Sequence, residues 1–125
     1  MPPIAQAAAL VAALLHVGFF YLESVVFARP TVWPRFGLAT QEQADIIGPM
    51  ALNQGFYNLF LAGGVLGGLG LIATGNHDAG RAIVLFACLC MVGAGLVLIA
   101  TDRRLLRAAM LQLVPPLLAL LFAAI

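Results

Sequence analysis

Residues 51–74 read ALNQGFYNLFLAGGVLGGLGLIAT. The stretch opens on a cluster of amides and a tyrosine, then continues apolar to its end. At about 1.5 Å per residue a helix of this length spans about 36 Å, enough to cross a hydrocarbon core of about 30 Å. The five glycines of its apolar part, Gly63, Gly64, Gly67, Gly68 and Gly70, would be costly in a water-soluble helix, where each is worth about 1 kcal/mol against alanine. In lipid, small residues let helices approach closely and can offset that loss. The stretch therefore predicts a transmembrane helix, and the rest of the chain repeats the pattern.

Of the 125 residues, 63% are hydrophobic and 9% charged. Soluble domains carry about 25% charged residues, so this chain could not cover its own apolar surface in water. Three further apolar segments predict helices over roughly 4–27, 80–100 and 105–125. The expected fold is all-α: a single domain, 1–125, forming an antiparallel bundle of four transmembrane helices in the lipid bilayer. Val26-Phe27-Ala28 resembles a signal-cleavage site. The segment before it is too long for a signal's apolar region and no basic residue precedes it, so the first span is expected to be retained.

Gly75-Asn76-His77-Asp78 and Thr101-Asp102-Arg103-Arg104 make short connections, with His77 and Asp78 read as solvated turn residues. The first connection is longer. Arg29-Pro30 and Trp33-Pro34 end the first helix, and Trp33 suits an interface anchor. Thr40-Gln41-Glu42-Gln43 matches a capping box, which predicts a short amphipathic surface helix from Gln41, with Pro49 bending it or opening the second span. Arg29, Arg35, Arg103, Arg104 and Arg107 fall on one side of the bundle and only Arg81 on the other. The positive-inside rule then predicts a multi-pass protein of the inner (plasma) membrane with both termini non-cytoplasmic.

Net charge is +1 and there is no lysine, so the sequence offers no basic face for nucleic acid. Cys88 and Cys90 fall on different helix faces and read as packing residues. No cofactor or metal motif is present. The glycine-rich helix faces would suit self-association into a homo-oligomer.

The chemistry, if any, lies in polar groups at membrane depth, where ionisable side chains cost about 2.5–3.5 kcal/mol each on insertion scales. His16 and Glu23 are two turns apart on nearly one face of the first span. Asn53, Gln54, Tyr57 and Asn58 open the second span within an arc of about 140°. Gln112 precedes Pro115-Pro116 in the fourth, where the prolines free the carbonyls of Leu111 and Gln112. Glu23, Asn53, Gln54, Tyr57, Asn58 and Gln112 should meet at one level in the cytoplasmic half, with His16 deeper. Against this stand plainer readings: Glu23 paired with Arg29 or Arg107, and the amides acting as glue between helices.

At these residues the chain resembles the domain of unknown function 1304 family of small four-helix integral membrane proteins. The resemblance rests on His16, on Tyr21-Leu22-Glu23, and on Asn53-Gln54-Gly55-Phe56-Tyr57-Asn58 followed by Phe60-Leu61-Ala62. It closes on Gln112 shortly before Pro115. Ser24, Leu59 and Leu113 depart from the family's usual residues, at packing positions. The family name implies no activity, but it supports treating the polar set as one unit.

The expected function is a site that binds or transforms a lipophilic small molecule, with Glu23 and His16 as acid and base and Asn53, Gln54, Tyr57, Asn58 and Gln112 orienting the ligand. The alternatives are a proton-coupled small-molecule transporter and a structural or regulatory membrane subunit.

Overall fold

The structure, a computed structural model, describes residues 1–125. It is all-helical, with α1 (Pro3–Phe20), α2 (Gln41–Ala73), α3 (His77–Thr101) and α4 (Leu106–Ala123). A π turn, Tyr21–Val25, continues α1, and 3₁₀ turns form at Trp33–Phe36 and Arg103–Leu105. All four helices are long and apolar enough to cross a membrane, which points to a multi-pass membrane protein.

Each helix packs on its sequence neighbour and α4 returns to α1, whereas α1 barely meets α3 across the diagonal. The bundle is thus a four-cornered ring. Its inner faces follow helical spacing and are built from small residues: Ala5, Ala9, Ala12 and Ala13 on α1, Ala51, Gly55, Asn58 and Ala62 on α2. At the end away from the arginine cluster the ring closes on a solid core that includes Val65, Val84, Cys88, Met91 and Ala119. Arg81 ties this end together, its Nη2 donating to the Ala123 carbonyl at 2.9 Å. That contact satisfies a terminal acceptor of α4 with a cation at the negative end of its dipole.

The glycines divide into two groups. A Cβ on Gly68 would fall 2.8 Å from the Gly80 carbonyl oxygen, and one on Gly95 would fall 2.8 Å from Leu113 Cβ. These positions set the α2–α3 and α3–α4 separations. Gly63, Gly67, Gly70 and Gly93 meet nothing within 4 Å and face outward. Of the glycine pairs spaced four apart in the second span, Gly63/Gly67 faces outward and Gly64/Gly68 turns toward α3.

The Thr40 cap forms as expected, but the return bond from Gln43 goes to the residue before the cap. Thr40 Oγ1 accepts from the Gln43 amide at 3.2 Å, and Gln43 Oε1 accepts from the Ala39 amide at 2.8 Å. The helix that begins there is not a separate surface helix, however. It runs through Pro49 into the second span as one 33-residue rod, about 50 Å long against a hydrocarbon core of about 30 Å. A proline inside a helix removes one hydrogen bond, and packing holds the rod together here: Ala44 and Ala51, on either side of Pro49, are buried with Phe27 against Trp33, Phe36, Leu38 and Ile47. Residues 26–40 therefore form a compact hood on the projecting end of α2. Trp33 belongs to this hood and donates from Nε1 to Gln41 Oε1 at 3.0 Å.

α2 ends in a Schellman motif: Asn76 N–H bonds to Leu71 O at 2.9 Å and Gly75, at φ 93°, to Ile72 O at 3.2 Å. His77 and Asp78 follow at once as the first turn of α3, not as loop residues. Asp78 there sits favourably at the positive end of the helix dipole.

Candidate functional site

Glu23 lies in the π turn. The wider ladder, closed by Val26 N–H to Tyr21 O at 3.1 Å, directs two consecutive side chains at α2. Ser24 Oγ donates to the Leu52 carbonyl at 2.8 Å. A Cβ on Gly55 would collide with Ser24 Oγ and stand 3.1 Å from Glu23 Cβ, so the glycine of the Asn-Gln-Gly segment is what lets α1 lie this close. One turn further along α2, buried Asn58 donates from Nδ2 to Glu23 Oε2 at 2.7 Å. Glu23 pairs with neither Arg29 nor Arg107; the chain's one ion pair is Arg104–Asp102.

Beside this bond opens a cavity of about 910 Å³ at the arginine end of the ring. All four spans line it. Glu23, Gln54, Asn58 and Gln112 supply polar groups, and Phe19, Leu22, Val97, Leu98 and Leu111 supply much of the apolar wall. The wall is therefore mostly apolar, with a few polar groups set into it.

The other residues expected here lie elsewhere. Asn53 and Tyr57 are exposed, Tyr57 at 58%. The inner face of α2 is fixed by Ala51, Gly55, Asn58 and Ala62, and at about 100° per residue Asn53 points nearly opposite to it. His16 is fully buried but does not reach the cavity. Phe19 lines the cavity and meets the His16 ring edge-on, with centroids 5.3 Å apart, so an aromatic side chain fills the interval between His16 and Glu23. His16 Nδ1 lies 2.8 Å from the Ala12 carbonyl oxygen. A carbonyl only accepts, so Nδ1 carries a hydrogen. Nε2 has no partner.

Sequence reasoning passed over three cavity residues of a different kind: Arg35 from the hood, and Arg104 and Arg107 from the start of the fourth span. Their signal in the sequence is the charge bias, five arginines on one side of the bundle against one on the other. Arg104 forks onto Asp102, with Nη2–Oδ2 at 2.8 Å and Nε–Oδ1 at 2.9 Å. Hydrogen bonds from this guanidinium hold the Asp102 carboxyl below the usual carboxylate range. No three His, Cys, Asp or Glu side chains gather to hold a metal.

Chemically, the site offers a carboxyl group oriented by an amide, two further amides without protein partners, an apolar wall and a cationic mouth. The family model described as protein of unknown function (DUF1304) matches residues 10–124, and the chain belongs to that family. No curated protein and no solved structure matches it.

Proposed function

We propose that this member of the DUF1304 family is a membrane-embedded binding protein. Its cavity takes up a lipophilic small molecule, and Glu23 is the group able to exchange a proton with it. The observation that carries this reading is that Glu23, Asn58, Gln54 and Gln112 all line one partly open cavity of about 910 Å³ that is otherwise largely apolar. Helix-to-helix adhesion alone would need the Glu23–Asn58 bond but no space beside it. Proton-coupled transport ranks lower, because the solid core at the opposite end of the ring would have to open. By the positive-inside rule the cavity end faces the cytoplasm.

The reading is tested by native mass spectrometry of the purified chain released from mild detergent. The parent should carry a lipophilic adduct, and Leu98→Trp, which fills the cavity, should lose it while remaining folded. Glu23→Gln should keep the adduct if the carboxyl acts on the ligand rather than holding it. An adduct equally abundant on Leu98→Trp sinks the reading.

A second reading applies to the outer face of α2. Exposed Asn53 lies within about 80° of Gly63 and Gly67 around the helix, all three open to the outside, and polar side chains directed at lipid are costly unless another helix meets them. A second copy of the chain would supply that helix. Gly67→Leu should then lower the mass measured by light scattering in detergent, and an unchanged mass rejects it.

A further inference from the structure

We propose that the ligand of this cavity is an anionic amphiphile: a phosphate or carboxylate headgroup, held at the mouth by Arg35 and Arg107 beside Arg104, on a single apolar chain. The inference rests on the cavity being a binding site, as proposed above, and adds the class of molecule.

The argument begins with charge. Three guanidinium groups border one cavity, and of these only Arg104 has an acidic partner, Asp102. Arg35 and Arg107 form no ion pair and donate no hydrogen bond to any protein acceptor. The cavity's own carboxyl group is engaged by Asn58 and not by an arginine. The mouth therefore carries cationic donors that the protein itself does not use. Guanidinium forks match carboxylate and phosphate oxygens in pairs. A cationic or neutral headgroup gains nothing from them.

The position of the arginines argues for an amphiphile over a free anion. Arg104 and Arg107 stand at the start of the fourth span and Arg35 in the hood, the level at which a lipid headgroup rests. The wall below is apolar: Phe19, Leu22, Val97 and Leu98. Arg107 and Leu111 also line a second, shallower hollow of about 600 Å³ on the outside of α4, with Met110, Val114 and Pro115. Arg107 and Leu111 thus stand between the inner cavity and the outer surface of α4. The inner volume falls within the range of about 300–1,000 Å³ usual for small-ligand pockets, which suits one chain rather than a two-chain phospholipid.

The test measures binding to the purified 125-residue chain in dodecyl maltoside by native mass spectrometry. The probes are dodecyl phosphate, dodecanoate, dodecanol, dodecyltrimethylammonium and inorganic phosphate. Dodecyl phosphate and dodecanoate should bind one per chain, at least tenfold more tightly than dodecanol or dodecyltrimethylammonium, and inorganic phosphate should not compete at equal concentration. Arg35→Gln/Arg107→Gln should erase that tenfold preference. Equal binding of dodecanol and dodecyl phosphate overturns the headgroup inference and leaves the binding site standing. Inorganic phosphate binding as tightly as dodecyl phosphate also overturns it, in favour of a free-anion site. Loss of every probe's binding together with no effect of Leu98→Trp removes both proposals. Because the probe series is run on the unmodified chain, an unstable arginine variant does not protect the idea.

Discussion

Asn58 on α2 donates from Nδ2 to Glu23 Oε2 on the π turn at 2.7 Å, joining two residues 35 apart in sequence. Removing the donor leaves a carboxyl group inside the ring with one bond fewer. Asn58→Ala should therefore cost about 1–3 kcal/mol, read as a lower midpoint in mixed-micelle unfolding. Glu23→Gln can keep an amide-to-oxygen bond and should cost less. Equal midpoints for Asn58→Ala and the parent would show that the bond contributes nothing.

Gly55 and Ser24 form a second linked pair. Gly55→Ala places a methyl group on Ser24 Oγ and close to both neighbouring Cβ atoms. Overpacking of this kind costs about 1–3 kcal/mol. Ser24→Ala removes the hydroxyl oxygen but leaves its Cβ, so the double variant should recover part of the loss. A double-mutant cycle showing strict additivity would argue against the contact.

On α3, Gly93 and Gly95 are two residues apart and should behave oppositely. Gly95→Ala drives a methyl group into Leu113 Cβ, whereas Gly93→Ala meets nothing within 4 Å. The first should destabilise by about 1–3 kcal/mol; the second should be neutral or slightly stabilising. Thermal unfolding in detergent separates them, and similar shifts would contradict the α3–α4 approach.

The Asp102–Arg104 pair sets a pH expectation. Its carboxyl is held below the ordinary value of 3.8, so its contribution to stability is complete above that value and is lost as pH falls through the lower folded one. Exposed pairs contribute little. Asp102→Asn should thus show a small deficit that is constant from pH 5 to pH 8 and vanishes in acid. A deficit that instead grows as pH falls would contradict the assignment.

Phe19 separates the cavity from His16. Phe19→Ala should extend the cavity toward His16 Nε2, which has no partner, and shift ligand preference toward longer chains. Competition between alkyl phosphates of differing length reads this directly, and an unchanged preference rejects it.

Much of this was legible in the sequence for physical reasons. Span length and apolarity are local properties, and the Thr40 cap is set by four adjacent residues. The meeting of Glu23 with Asn58, Gln54 and Gln112 followed from counting depth along three helices. Rotation was harder to read. α2 carries small residues around much of its circumference, so its polar opening did not reveal which side faces inward. Asn53 and Tyr57 fell on the wrong side of that division. The continuity of α2 through Pro49 depended on tertiary contacts of Ala44 and Ala51 with Phe27 and the hood, which no local pattern encodes. Phe19 looked like one more apolar residue of a lipid helix until its place between His16 and the cavity was known.

The π turn at Tyr21–Val25 has a consequence for how such a chain can change. A bulge of this kind holds one residue more than an α-helical turn, while the helix before it keeps its phase. Deleting a single residue there would let the turn relax to ordinary α geometry, with α1 still facing its neighbours through Ala5, Ala9 and Ala12. What would be lost is the paired aim of Glu23 and Ser24 at α2. In this chain the bundle and its carboxylate are separable inheritances: a one-residue length change could discard the second without touching the first.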